Sequence, residues 1–219
     1  MIKGAIFDAD GTLLDSMGIW DTVGEDCLKE WGYSPREDFS NTVKSMSLNQ
    51  SAQYVIDEYG VKLSKDEIIE RVCAAVDDFY RYEVELKQGM RELLETLYRR
   101  GVRMCVATAG SGGLVRAALT RLGIERYFIE ILDCEAYGTG KDEPKIYREA
   151  LKLLGTDKTS TIVFEDTLYA LKTAKADGFL TAAVYDIREE NQAEVKTLAD
   201  YYLSDSADII SFQRLVSAF

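Results

Sequence analysis

The sequence predicts an α/β fold in which a doubly wound, mainly parallel sheet carries an inserted, all-helical domain. Three observations predict it. Short runs rich in Val, Ile and Phe lack polar alternation, amphipathic stretches ending in glycine stand before such runs, and one long segment after the first run has helical periodicity only. Apolar runs without alternation belong to strands covered on both faces, as in a parallel sheet. Glycine just past a helix takes the left-handed conformation that turns the chain back into the next strand.

The elements follow in order. Ile2 to Phe7 is the first strand. Ser16 to Trp31 and Ser47 to Tyr59 read as helices of the insertion. Ser64-Lys65-Asp66-Glu67 has the spacing of a capping box, and Ile68, Ile69, Val72, Val76 and Phe79 continue it at helical spacing. Met90, Leu93, Leu94 and Leu97 form the next apolar stripe, closed by Gly101 ahead of the strand Arg103 to Thr108. Leu119, Leu122 and Gly123 lead into the strand Phe128 to Leu132. A helix carrying Ile146, Ala150 and Leu153, with Leu151 and Leu154 also at helical spacing before Gly155, stands ahead of the strand Thr161 to Phe164. Ala174, Asp177 and Gly178 lead into the strand Thr181 to Tyr185. The expected division is a core of residues 1–15 and 86–219 with a helical insertion of residues 16–85. An insertion at the carboxyl end of the first strand is placed over the crevice where such sheets bind ligands, which makes it a candidate lid. A helical appendage without a role at the site is the plainer alternative.

Composition narrows the chemistry. Within 219 residues, 26 Lys and Arg stand against 38 Asp and Glu, a formal charge of −12. That balance opposes nucleic acid or an anionic membrane as partner, since both need a basic face. The sequence has no histidine, which excludes Ser-His-Asp triads, HExxH metalloproteases and His-ligated zinc. Cys27, Cys73, Cys105 and Cys134 form no CxxC pair, so zinc-ribbon and thioredoxin-like readings fail. Cys105, inside an apolar run, reads as a buried free thiol. Asp8 comes too early for a secretory apolar region, and no run approaches the roughly 18 apolar residues of a membrane span. A reduced, cytoplasmic monomer with no membrane partner is expected.

Candidate reactive residues fall at strand exits. Asp8-Ala9-Asp10-Gly11-Thr12 leaves the first strand, and two carboxylates so close need a cation or a shared proton. Gly11 lets the backbone bend and approach a ligand. A calcium loop and a plain acidic turn are other readings of this segment alone, although the later ligands of an EF-hand are missing. Thr108 ends the second strand before Ala109-Gly110-Ser111-Gly112-Gly113, where a hydroxyl and free amides at a helix N-terminus make an anion site. Lys141 follows two glycines at 138 and 140. It is not a P-loop lysine, because Asp142 stands where Ser or Thr is required. Glu165-Asp166 closes the strand Thr161 to Phe164. Each feature alone is commonly just a turn, a solvated lysine or a helix cap. Together they place carboxylates for a hard cation, a hydroxyl, an ammonium and helix-terminal amides at one sheet edge, which suits a phosphate dianion handled with Mg²⁺.

With these residues in order, the chain resembles the haloacid dehalogenase superfamily, in the branch with a helical cap inserted after the first motif. Asp8-Ala9-Asp10-Gly11-Thr12 matches the first motif, Thr108 the second, Lys141 the third and Glu165-Asp166 the fourth. Asp142 replaces a proline common after the lysine, and Ala170 a glycine common after the acidic pair. The resemblance implies a phosphatase acting on a small phosphorylated metabolite through an aspartyl-phosphate. Asp8 is then the nucleophile and Asp10 the general acid and base. Gly11, Thr108, Ala109, Gly110 and Lys141 would hold phosphate. Asp8, Asp166 and the backbone carbonyl of Asp10 would hold Mg²⁺, with Glu165 nearby. Asp10 argues against carbon–halogen hydrolysis, since dehalogenases proper lack it. A hexose-phosphate mutase is the runner-up, but such mutases resemble one another in carrying a histidine early in the cap, where this chain has Trp20. A non-catalytic phosphate-binding regulator is a third reading, opposed by the presence of every reacting group. Met17, Trp20, Lys44 and Ser45 are candidates for substrate choice. Met17 and Trp20 also fit a helix packing stripe. A sugar phosphate and a nucleotide monophosphate fit equally.

Overall fold

The computed structural model describes residues 2–43, 46 and 48–217. The chain divides into two compact units, Met1–Ser16 with Val84–Phe219, and Met17–Glu83.

The unit Met17–Glu83 is helical: α1 (Ile19–Glu30), α2 (Phe39–Val43), α3 (Leu48–Tyr59) and α4 (Lys65–Asp78), followed by a π-helical turn, Phe79–Glu83. It has a core of its own, in which Leu28, Phe39, Ala52, Val55, Val61 and Ile68 are buried together. The capping box forms as its spacing predicts. Glu67 N–H donates to Ser64 Oγ at 3.3 Å, and Ser64 N–H donates to the Glu67 carboxylate at 2.8 Å, satisfying two otherwise orphaned donors.

The larger unit is built on six parallel strands: β1 (Gly4–Phe7), β2 (Arg103–Thr108), β3 (Phe128–Asp133), β4 (Thr161–Glu165), β5 (Leu180–Val184) and β6 (Tyr201–Leu203). Their order is β3-β2-β1-β4-β5-β6. After β1 the chain builds outward to β3 on one side, then returns to build β4 to β6 on the other. The reversal between β1 and β4 is a topological switch point, where the carboxyl ends of the strands leave a crevice. The helices are α5 (Met90–Arg99), α6 (Gly112–Arg121), α7 (Lys145–Leu154), α8 (Leu168–Ala176), α9 (Gln192–Leu198) and α10 (Ser206–Ser217). One sheet face, through Ile6, Cys105, Ala107 and Val163, packs on Ile146, Tyr147, Ala150 and Leu154 of α7. In the same sheet the Phe7 and Phe164 rings stack at 4.3 Å, and Phe212 of α10 meets Phe164 edge-on at 5.7 Å. Met90, Leu93, Leu94 and Leu97 of α5 are all fully buried, each leucine contributing about 1.5–3 kcal/mol of burial.

Three details differ from the sequence expectation. β3 is an edge strand and is half exposed, Ile129 to 47%, because nothing pairs with its outer side in this sheet. On α7 Leu154 is buried as its spacing before Gly155 predicts and Tyr147 joins it, while Leu153 is 41% exposed. Beyond Tyr185, where no strand was expected, β6 adds to the sheet; three residues are too few to read as an apolar run. The four cysteines are free, and burial pushes the Cys105 thiol up. No helix among the described residues is long and apolar enough to cross a membrane.

Candidate active site

The site assembles where β1 and β4 lie side by side. Asp8 N–H donates to Phe164 O at 2.9 Å, so pairing with β4 continues to the first carboxylate. Side chains alternate along a strand, so Asp8 shares a face with Ile6, and Glu165 shares one with Val163. Ile6 and Val163 belong to one core cluster, which directs both carboxylates to the same side. Lys141 reaches them from the turn after β3, held by Cys134 N–H to Thr108 O at 2.9 Å and Thr139 N–H to Cys134 O at 3.0 Å. The lysine is only 4% exposed. It bonds Asp8 Oδ1 and lies 2.8 Å from Glu165 Oε1. Asp166 follows Glu165 and accepts a hydrogen bond from the buried Thr12 Oγ1 at 3.3 Å. One carboxylate oxygen each from Asp8, Glu165 and Asp166 lies within 4.8 Å of the others.

Asp10 lies close enough for its charge to add to the upward shift of Asp8. Ser16 Oγ donates to Asp10 Oδ1 at 2.7 Å. Its Oδ2 faces Gly110 closely: a Cβ there would come within 2.9 Å of that oxygen. Thr108 is fully buried at the end of β2.

The electrostatics follow from burial. Three buried carboxylates face one ammonium. Burial raises the Asp8 pKa although Lys141 opposes it. Burial likewise pushes Glu165 up to about 7 and Asp166 up to about 8. Burial would depress Lys141, but the Asp8 and Glu165 carboxylates outweigh it and hold the ammonium above its ordinary value. A hard divalent cation is the natural remedy for so much uncompensated negative charge, and an all-oxygen donor set suits Mg²⁺.

Asp8, Lys141, Glu165 and Asp166 come together as the strand exits predict. Some backbone donors offered to phosphate are engaged within the protein instead. Gly110 N–H donates to Thr108 Oγ1 at 2.9 Å, and Gly112 N–H to the Asp133 carboxylate at 3.3 Å, so the amides at the start of α6 are not all free, as the sequence had suggested. Gly11 takes the bend expected of it (φ 79°), and its N–H closes a turn onto Leu14 O at 3.0 Å. Ala109 is exposed beside Thr108. On α1 the packing stripe is Val23, Cys27 and Leu28. Trp20, 50% exposed, is outside it, and Met17 is half-buried ahead of the helix. Lys44 and Ser45 lie outside the described residues.

Sequence reasoning missed four polar partners: Thr12, Ser16, Asp133 and Tyr147. Tyr147 OH donates to Glu165 Oε1 at 2.8 Å. Ser16 was assigned to the insertion, yet it falls in the sheet unit, six residues from the Asp10 it bonds. Its hydroxyl, so soon after a DxD, was the one available signal.

This fold, with the exits of β1, β3 and β4 converging on a carboxylate–lysine cluster, defines a class. Residues 5–184 match the profile of the haloacid dehalogenase-like hydrolases, and the chain belongs to that family. Among its curated relatives is hexitol phosphatase B of Escherichia coli (strain K12), 25% identical over 215 residues that span 95% of this chain and 94% of that one. Another is the phosphorylated carbohydrates phosphatase of Thermotoga maritima, 23% identical over 81% of this chain and 82% of its own. Among solved structures, a candidate beta-phosphoglucomutase from Thermotoga maritima superposes with a TM-score of 0.87 at 22% identity, over 98% of this chain and 100% of that one. That likeness establishes the fold alone.

Proposed function

We propose that this chain is a Mg²⁺-dependent phosphatase that hydrolyses a small phosphorylated sugar or sugar alcohol through a phosphoryl group carried by Asp8. One observation carries the reading: the buried Asp8, Glu165 and Asp166 carboxylates converge with Lys141 bonded between two of them. The names of the two curated relatives support the sugar class.

In the first half-reaction an ionised Asp8 oxygen bonds to phosphorus as the ester P–O bond breaks. Asp10 gives its proton to the departing oxygen. In the second, water attacks phosphorus, Asp10 takes the water's proton, and the Asp8–phosphorus bond breaks to release inorganic phosphate. Ser16 donates to Oδ1 of Asp10 and so orients the carboxyl that moves the proton. Lys141 and the Thr108 hydroxyl hold the non-bridging oxygens, where phosphoryl transfer concentrates charge. Asp8, Asp166 and the Asp10 carbonyl, with Glu165 nearby, would hold Mg²⁺, which would supply the positive charge that keeps Asp8 ionised among its buried neighbours. A mutase would use the same carboxylates, and the lack of any histidine in the sequence disfavours it.

The test is a panel of phosphorylated hexitols, hexoses and nucleotides with released phosphate as readout. Release from sugar phosphates with Mg²⁺, abolished by EDTA, is the expected result. Release from nucleotides alone would overturn the substrate class, and hexose 6-phosphate accumulating from hexose 1-phosphate, followed by ³¹P NMR, would establish a mutase.

A further inference from the structure

Glu165 is approached by two donors on one and the same oxygen. Lys141 Nζ lies 2.8 Å from Oε1, and Tyr147 OH donates to Oε1 at 2.8 Å. A carboxylate has two oxygens, and a donor pair that saturates one of them fixes the direction of the other. Tyr147 is also held rigidly. It is fully buried in α7, packed with Ile146 and Ala150, and its ring meets Phe179 at 6.3 Å. The backbone of α7 and the wall of the core therefore set where the hydroxyl stands, whereas Lys141 approaches from a turn and is shared with Asp8. We propose that Tyr147 is a positioning residue for the cation site: by holding Oε1 of Glu165 together with Lys141, it reserves Oε2 for the metal side and stops Glu165 from clasping Lys141 with both oxygens. The inference rests on the phosphatase reading only in taking the Asp8, Glu165 and Asp166 cluster as the Mg²⁺ site.

Partners of this kind tune metal affinity about 10–100-fold. The test uses Tyr147→Phe in the full chain, which keeps the ring and its packing and removes one hydroxyl. Mg²⁺ affinity is read from the rise in Tm with Mg²⁺ concentration, without any substrate. The expected result is a Kd at least about 10-fold weaker than wild type, with the metal-free Tm nearly unchanged and KM unchanged at saturating Mg²⁺. Wild-type affinity in the variant would overturn the proposal. If the variant lowers the metal-free Tm, the same titration in a Glu165→Gln background decides. There, removal of the hydroxyl should have no further effect on Kd, and an undiminished effect would overturn the proposal. A wild-type protein that binds no Mg²⁺ would overturn the metal site itself, and this inference with it, an outcome distinct from equal binding by both proteins.

Discussion

Lys141, bonded to Asp8 and 2.8 Å from Glu165, ties together the side chains on which the proposed phosphoryl transfer rests. With Asp8→Asn the nucleophilic charge is lost while shape is kept. Turnover of a sugar phosphate should fall at least about 1000-fold, while circular dichroism and Tm report an intact fold. A pH effect follows from the raised carboxylates. Glu165 at about 7 and Asp166 at about 8 lie above their unfolded values of 4.5 and 3.8, so the metal-free folded state binds protons that the unfolded chain has released. Its stability therefore falls as pH rises from about 4 to about 8. In the proposed enzyme Mg²⁺ would replace those protons. Its stabilisation should be larger near pH 8 than near pH 6 by several degrees in Tm, measured by thermal unfolding with and without EDTA, and equal shifts at both would contradict the assignment. At this scale the converging side chains were legible because Asp8, Lys141 and Glu165-Asp166 each follow an apolar run. Their orienting partners were not. Tyr147 occupies an apolar helical stripe and reads as packing, and Thr12 meets Asp166 only across 154 residues of chain.

Elements depend on ties of the same kind. Asp177, at the end of α8, accepts from Arg148 of α7 at 3.0 Å and pairs with Lys158 at 2.8 Å, and these bonds hold its carboxyl below the usual aspartate value. Its contribution is therefore complete above the unfolded pKa of 3.8 and is lost as pH falls through the lower folded value. Asp177→Asn should cost about 1 kcal/mol at neutral pH, since Arg148 is exposed and the pair is screened. The difference from wild type should shrink on acidification, as urea unfolding at several pH values can check. The same element scale shows what periodicity can and cannot convey. The stripe Met90, Leu93, Leu94, Leu97 and the capping box at Ser64 are local, and both form as spaced. The spacing offers both Leu153 and Leu154, and which of these adjacent residues faces the sheet depends on how α7 is rotated against Ile6 and Cys105.

At the scale of the molecule, the unit Met17–Glu83 has its own core around Ile68, separate from the core beneath the sheet. Ile68→Ala should cost about 2–5 kcal/mol and appear first as faster amide exchange in α1, α3 and α4. Protection in β1, β2 and β4 should remain, and a uniform loss throughout the chain would contradict this independence. The α/β class was legible from strand composition, because parallel strands must be apolar on both faces. The position of β3 at an edge was not, since edge or centre is decided by which distant strands pair. Strand order also has a cost during synthesis. β1 leaves the ribosome first, yet it is the strand flanked by β2 and β4. Its apolar segment stays without one neighbour until residue 108 has emerged and without the other until residue 165, so its two long-range pairings close late and in sequence.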